Sequence, residues 1–195
     1  PSIVSKPEEL VNSLPGTSRI FDAKGNKLYE FYPEGRRLKL DLNKLKLTQP
    51  NKFDILVKAI LAREDRHFFS HNGIDMKGLT RAVYERALHS SEQGGSTITQ
   101  QLVKNLIAYH YQGGYSIEDR KASEIGLALS LEASLLERFK GNQGQAKEFI
   151  LEMYLNTVSF GAGSRGFETA AQDNFGKTTE DLSMEEIIYL VGGAN

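Results

Sequence analysis

Apolar residues recur at helical spacing through most of this chain. Phe53, Leu56, Val57, Ile60 and Leu61 repeat with a period near 3.6, and Asn51 ahead of them predicts an N-cap. A second helix is expected to start at Asp75 and to use Met76, Leu79 and Val83. Thr97 with Gln100 reads as a capping box for a third, whose Ile98, Leu102 and Leu106 face inward. Ser116 caps a fourth that runs to about Arg138. Two more cover 145–156 and 183–192, the last opened by Ser183 with Glu186. The early chain follows a different rhythm. Ile20, Phe21, Leu28, Tyr29, Phe31 and Tyr32 flank a turn-prone stretch at 22–26, and Leu38, Leu40 and Leu42 alternate, so 17–42 reads as a β-hairpin. Residues 1–16 read as a linker, and Gly141-Asn142-Gln143-Gly144 as a loop. The pattern predicts a mainly α domain, with its helical region at 51–195 and a β-hairpin entrance.

Composition narrows the classes. The 195 residues suit one domain, or one domain with a small appendage, and a chain of this size buries roughly 70% of the surface its unfolded form exposes. There is no cysteine, hence no disulfide or thiolate metal site. A net charge of −1 offers no broad basic face for nucleic acid, so anion binding must come from a local cluster. No apolar run is long enough to span a bilayer. The chain begins at Pro1, and an excised piece with its anchor elsewhere is the expectation.

Two segments carry the chemistry. Glu64 lies four residues after Ile60, on the buried face of its helix, where desolvation would raise its pKa and suit it to general acid or base work. Asp65 points about 100° away and is expected to stay ionised. Phe68, Phe69 and His71 could wall the site, His71 as a structural residue. On spacing alone, pairing of Glu64 with Arg63, Arg66 or His67 at the surface is the commoner outcome.

The second segment opens with Gly94-Gly95, which would let backbone approach a ligand at a helix N-terminus with free N–H groups. Gln100 with Lys104, and Gln101 with Asn105, stack at i, i+4. A polar ladder with one ammonium suits pyrophosphate. The spacing of a P-loop is absent, and a capped helix with a solvated face fits the pattern equally. Further on, Arg120, Lys121 and Glu124 share one helical turn, either as ordinary ion pairs or as a carboxylate flanked by cations. Glu132, two turns beyond Glu124, reads as a buried structural carboxylate.

Five motifs occur in order: EDRHFFSHNGID at 64–75, GGSTITQQLVKN at 94–105, RKASE at 120–124, KEFILEMYLN at 147–156 and RGFETAAQDNFGK at 165–177. Together they resemble the peptidoglycan glycosyltransferase (transglycosylase) domain of class A penicillin-binding proteins and of monofunctional glycosyltransferases, from about Ile20 to the end. The resemblance implies a lysozyme-like helical lobe with a smaller membrane-associated lobe, at the extracytoplasmic face of the bacterial cell membrane. It implies polymerisation of lipid II, with Glu64 as the base that deprotonates the acceptor's 4-hydroxyl and undecaprenyl pyrophosphate as the leaving group. Glu124 matches the second carboxylate, acting around the pyrophosphate directly or through a divalent cation. A Mg²⁺ or Mn²⁺ ion, if used, would be shared with substrate phosphates, since no ligand set resembles a closed metal site. Ser96, Gln100, Lys104, Asn105, Arg120, Lys121 and Asn156 match the donor cleft where moenomycin-type inhibitors bind, and Asp65 joins the substrate-binding set.

The implied partners are lipid II, the growing glycan strand and the membrane surface. A fused transpeptidase domain and other cell-wall synthesis proteins are further candidates. Four departures stand out. Ser123 replaces a frequent lysine, the 106–119 connection is long and lacks an arginine, Asn174 replaces a tyrosine, and 138–146 looks like an insertion. Tyr109, Tyr111 and Tyr115 in the long connection suit a bilayer interface. Two other readings compete, a lysozyme-like hydrolase using Glu64 as acid and a catalytically silent glycan-binding module.

Overall fold

The computed structural model describes residues 18–21, 27–31, 38–76, 78, 80, 95–110, 117–161 and 163–194; side chains are described from 38 on, except at 107–110, 117–120 and 122. The expected linker at 1–16, Leu79, Val83, Gly94, Tyr111, Tyr115 and Ser116, together with the side chains of Tyr109 and Arg120, lie outside the described residues. The chain divides into two compact units. One carries Ile60–Leu151, the other the described residues of Glu9–Ala59 and of Glu152–Asn195.

In the second unit, β1 (Ser18–Phe21) pairs antiparallel with β2 (Lys27–Phe31), Ser18 opposite Phe31 and Ile20 opposite Tyr29. The alternation of Leu38, Leu40 and Leu42 does not make a third strand, and α1 (Leu42–Thr48) starts inside it, capped by Asp41 accepting from the Lys44 N–H at 2.8 Å. The period of two is nonetheless used. Leu38 N–H donates to Thr169 Oγ1, Leu40 N–H to Asn156 Oδ1 and Leu42 N–H to Glu152 Oε2, at 2.8, 2.8 and 3.1 Å. Helix side chains thus take the place of a neighbouring strand, because buried N–H groups must be paired by something.

α2 (Pro50–Glu64) begins one residue before the expected cap. Proline at the first helical position lacks the N–H that would go unpaired there, so Asn51 falls inside the first turn. Leu56, Val57 and Ile60 are buried as the spacing requires. α3 (Ile98–His110), α4 (Ile117–Arg138) and the start of α5 (Gln143–Thr157) build the first unit around Ile98, Leu102, Leu106, Leu131, Leu135 and Ile150. The segment at 138–146 is a tight helix-to-helix turn. Lys140 at φ 52° and Gly141 at φ 83° make it, and Gln143 and Gly144, expected in a loop, already belong to α5.

α6 (Phe167–Phe175), which the hydrophobic spacing left unmarked, and α7 (Met184–Gly192) complete the second unit. Ser183 and Glu186 form the expected reciprocal capping box. The second expected helix is described only at 76, 78 and 80, with Asp75 accepting from the Gly78 N–H. Its Met76 is 65% exposed rather than part of the core. The expected mainly helical class holds, and no helix among the described residues is long and apolar enough to cross a membrane.

Candidate active site

Glu64 is the last residue of α2, with 17% of its side chain exposed. Its surroundings are more polar than the stripe behind it suggests. Oε1 accepts from Arg63 Nε at 2.8 Å, and Oε2 accepts from Gln101 Nε2 on α3 at 2.9 Å. The surface pairing with arginine and the contact with the amide helix therefore coexist on one carboxylate.

Asp65 follows directly, outside the helix. It is buried, more so than Glu64. Its two oxygens lie 3.0 and 2.9 Å from His71 Nε2, and Oδ2 accepts the Ile98 N–H at 3.1 Å. A carboxylate at a helix N-terminus satisfies orphan donors and meets the positive end of the dipole.

Asp65 therefore stands where a ligand anion was expected. The Thr97 N–H goes to Gln100 Oε1, the Ile98 N–H to Asp65 and the Gln100 N–H to Thr97 Oγ1. The N-terminus of α3 is thus largely satisfied from within rather than open to phosphate. Thr97 Oγ1 also donates to Gly73 O at 2.6 Å, stapling the 65–75 turn to α3. Gly73 sits at φ +92°, where a Cβ would come within 3.1 Å of Ala128 O. Only glycine allows that approach to α4.

The remaining predicted residues fall into three groups. Ser96, Lys121 and Glu124 come together: Lys121 Nζ lies 3.3 Å from Ser96 Oγ and 3.4 Å from Glu124 Oε2, the lysine about half exposed and Glu124 buried. Lys104 is exposed and Asn105 half-buried on α3, whereas Gln100 is buried in its capping box, off the solvated ladder expected for it. Asn156 belongs to the other unit. There it brackets Leu40, accepting from its N–H and donating Nδ2 to its carbonyl at 2.9 Å. Ser123 is exposed.

Spacing missed one residue. Lys147 on α5 is 1% exposed, with Nζ 2.6 Å from Glu132 Oε1 and 4.5 Å from the centre of the Phe68 ring. Burial pulls its pKa below the ordinary lysine value, opposed by Glu132. The readable signal is its alignment with Ile150, Leu151 and Tyr154 at three, four and seven residues on, all fully buried. Glu132 is the buried structural carboxylate expected, and Thr99 Oγ1 donates to the same Oε1 at 2.6 Å. Nearby, Asp75 is held below the usual carboxylate range by the Gly78 N–H and, less strongly, by His67.

This arrangement can hold one partly exposed carboxylate in a fixed direction and present a lysine–glutamate pair near a serine hydroxyl. Comparison with known proteins agrees on one family. The description "Transglycosylase" matches residues 35–195. The chain is 34% identical over 174 residues to penicillin-binding protein 1F of Bacillus subtilis, covering 89% of this chain and 21% of that protein. It is 35% identical over 175 residues to penicillin-binding protein 1A of Vibrio cholerae, covering 89% and 18%. For penicillin-binding protein 1A of Mycobacterium tuberculosis the figures are 32% over 170 residues, 87% and 19%. The chain thus spans about a fifth of the length of these relatives. With the 64–75, 94–105 and 120–124 motifs carried on one unit and the family match running through both, the chain belongs to the transglycosylase family.

Proposed function

We propose that this chain is a peptidoglycan glycosyltransferase that polymerises lipid II with inversion at the donor's anomeric carbon. Glu64 acts as the base. Its carboxylate takes the proton from the 4-hydroxyl of the acceptor's N-acetylglucosamine. The oxygen forms its bond to the anomeric carbon of the donor's N-acetylmuramic acid, and the bond to the pyrophosphate oxygen breaks with its electron pair leaving on the lipid pyrophosphate. Arg63 and Gln101 orient the carboxylate from both oxygens, which suits a group that must meet one hydroxyl in one direction.

Lys121, beside Glu124 and Ser96, supplies positive charge that binds the donor's diphosphate, joined by Lys104 and Arg120. A Mg²⁺ or Mn²⁺ ion fits only as one shared with the pyrophosphate. Glu124 offers a single hard carboxylate already touched by Lys121, and no three His, Cys, Asp or Glu side chains cluster among the described residues. Such an ion would supply further neutralisation of the leaving group. The membrane surface, the growing strand and a fused transpeptidase domain remain the proposed partners, the last supported by relatives about five times longer than the match.

The observation that carries the reading is the pair of donors on the partly exposed Glu64. A glycan hydrolase would have no use for the cation set. The test is incubation with lipid II and, separately, with polymeric glycan, followed by sizing of products on a gel. Elongation of lipid II is expected, and cleavage of glycan without elongation would overturn the proposal. Lys121→Ala should raise the KM for lipid II about tenfold, the loss of one charge-assisted contact, and change kcat little.

A further inference from the structure

The pair of Lys147 and Glu132 touches neither Glu64 nor the Lys121 cluster in the described contacts, yet it lies buried in the unit that holds both. Two chains of contact lead from it to Glu64. On one side, the Lys147 ammonium lies over the Phe68 ring, and Phe68 N–H donates to the Asp65 carbonyl at 3.1 Å, closing the turn that begins directly after Glu64. On the other, Thr99 in the first turn of α3 donates to the same Glu132 oxygen that receives Lys147, and two residues later α3 presents Gln101 to Glu64. One carboxylate oxygen on α4 therefore gathers the turn behind Glu64 and the helix in front of it.

A buried ion pair is a poor way to gain stability, because desolvation consumes most of the attraction and apolar residues of similar size often do as well. What such a pair can supply is direction, since a charge pair has one geometry where an apolar cluster has several. We propose that Lys147, Glu132 and Thr99 are positioning residues that set the orientation of Glu64 toward the acceptor hydroxyl. This rests on Glu64 being the base proposed above.

The test compares kcat and KM for lipid II in the full chain, at a temperature well below each variant's melting midpoint. Lys147→Met combined with Glu132→Leu removes both charges and keeps the volume. Its kcat is expected to fall about 10- to 100-fold, as for a misplaced catalytic group, with KM within about twofold. A merely structural pair predicts the opposite, a folded double variant that turns over at the native rate, and that result overturns the proposal. Thr99→Val leaves the ion pair intact and removes only one hydroxyl from Glu132. A kcat loss of several-fold with an unmoved melting midpoint is expected there, and an unchanged kcat overturns the link through α3. Glu64→Gln run alongside separates the two claims. Native turnover in that variant sinks the base assignment and this proposal together, whereas an inactive Glu64→Gln beside a fully active double variant sinks the positioning role alone.

Discussion

Glu64 and Glu132 are both glutamates on helices, each hydrogen-bonded to a residue of α3, and they have opposite characters. Glu64 ends its helix, keeps part of its side chain in solvent and holds neighbours that orient it. Glu132 lies within its helix, buried, with an ammonium and a hydroxyl on one oxygen. The lesson is that a carboxylate's role follows from what its surroundings leave available. Glu64 retains some exposure to solvent, and Glu132 is closed in by its partners.

The contrast can be broken at either end. The largest effect is expected from Glu64→Gln, which should cut elongation by at least ~10²–10⁴-fold while leaving the thermal midpoint nearly unchanged. A large drop in midpoint would make Glu64 a second structural acid. Glu132→Ala, unlike Glu64→Gln, should also destabilise, by about 3–5 kcal/mol, because it strands a buried lysine charge. Chemical denaturation would show this, and a loss under 1 kcal/mol would mean that Lys147 readily finds water. Thr97→Ala should cost about 0.5–2 kcal/mol as a lost helix cap, with the added loss of the Gly73 contact.

Glu152 offers the smallest and most discriminating case. Burial raises its pKa above the ordinary 4.5, opposed by the Leu42 N–H. Between the unfolded and the raised folded value the native state holds the extra proton, so stability present in acid is lost as pH rises through that window. Glu152→Gln keeps an acceptor for Leu42 and removes the charge. It should raise the melting midpoint modestly at pH 7, with the advantage fading below pH 4.5. An equal gain at all pH values would place the effect in packing instead.

Much of the helical scaffold was legible from spacing. The apolar stripes of α2 and α3, the capping boxes at Thr97 and Ser183, and the end of α4 at Arg138 all follow from local rules. Where spacing failed, a distant partner had intervened. Leu38, Leu40 and Leu42 alternate as in a strand, but their N–H groups go to Thr169, Asn156 and Glu152, more than a hundred residues away. Helix geometry turned Asp65 about 100° from Glu64 but gave no sign that His71 and the first turn of α3 would enclose it.

The order of residues alone determined the class of fold, the helix periods and the family, since these depend on local spacing and on short motifs that survive without knowledge of contacts. Tertiary structure decided which acid is buried and which is offered, that the α3 N-terminus is filled by Asp65, and that Lys147 sits on Glu132. Those outcomes turn on desolvation and on pairing across 15 to 33 residues. Such energies belong to a site's surroundings, and the surroundings exist only once the chain has folded.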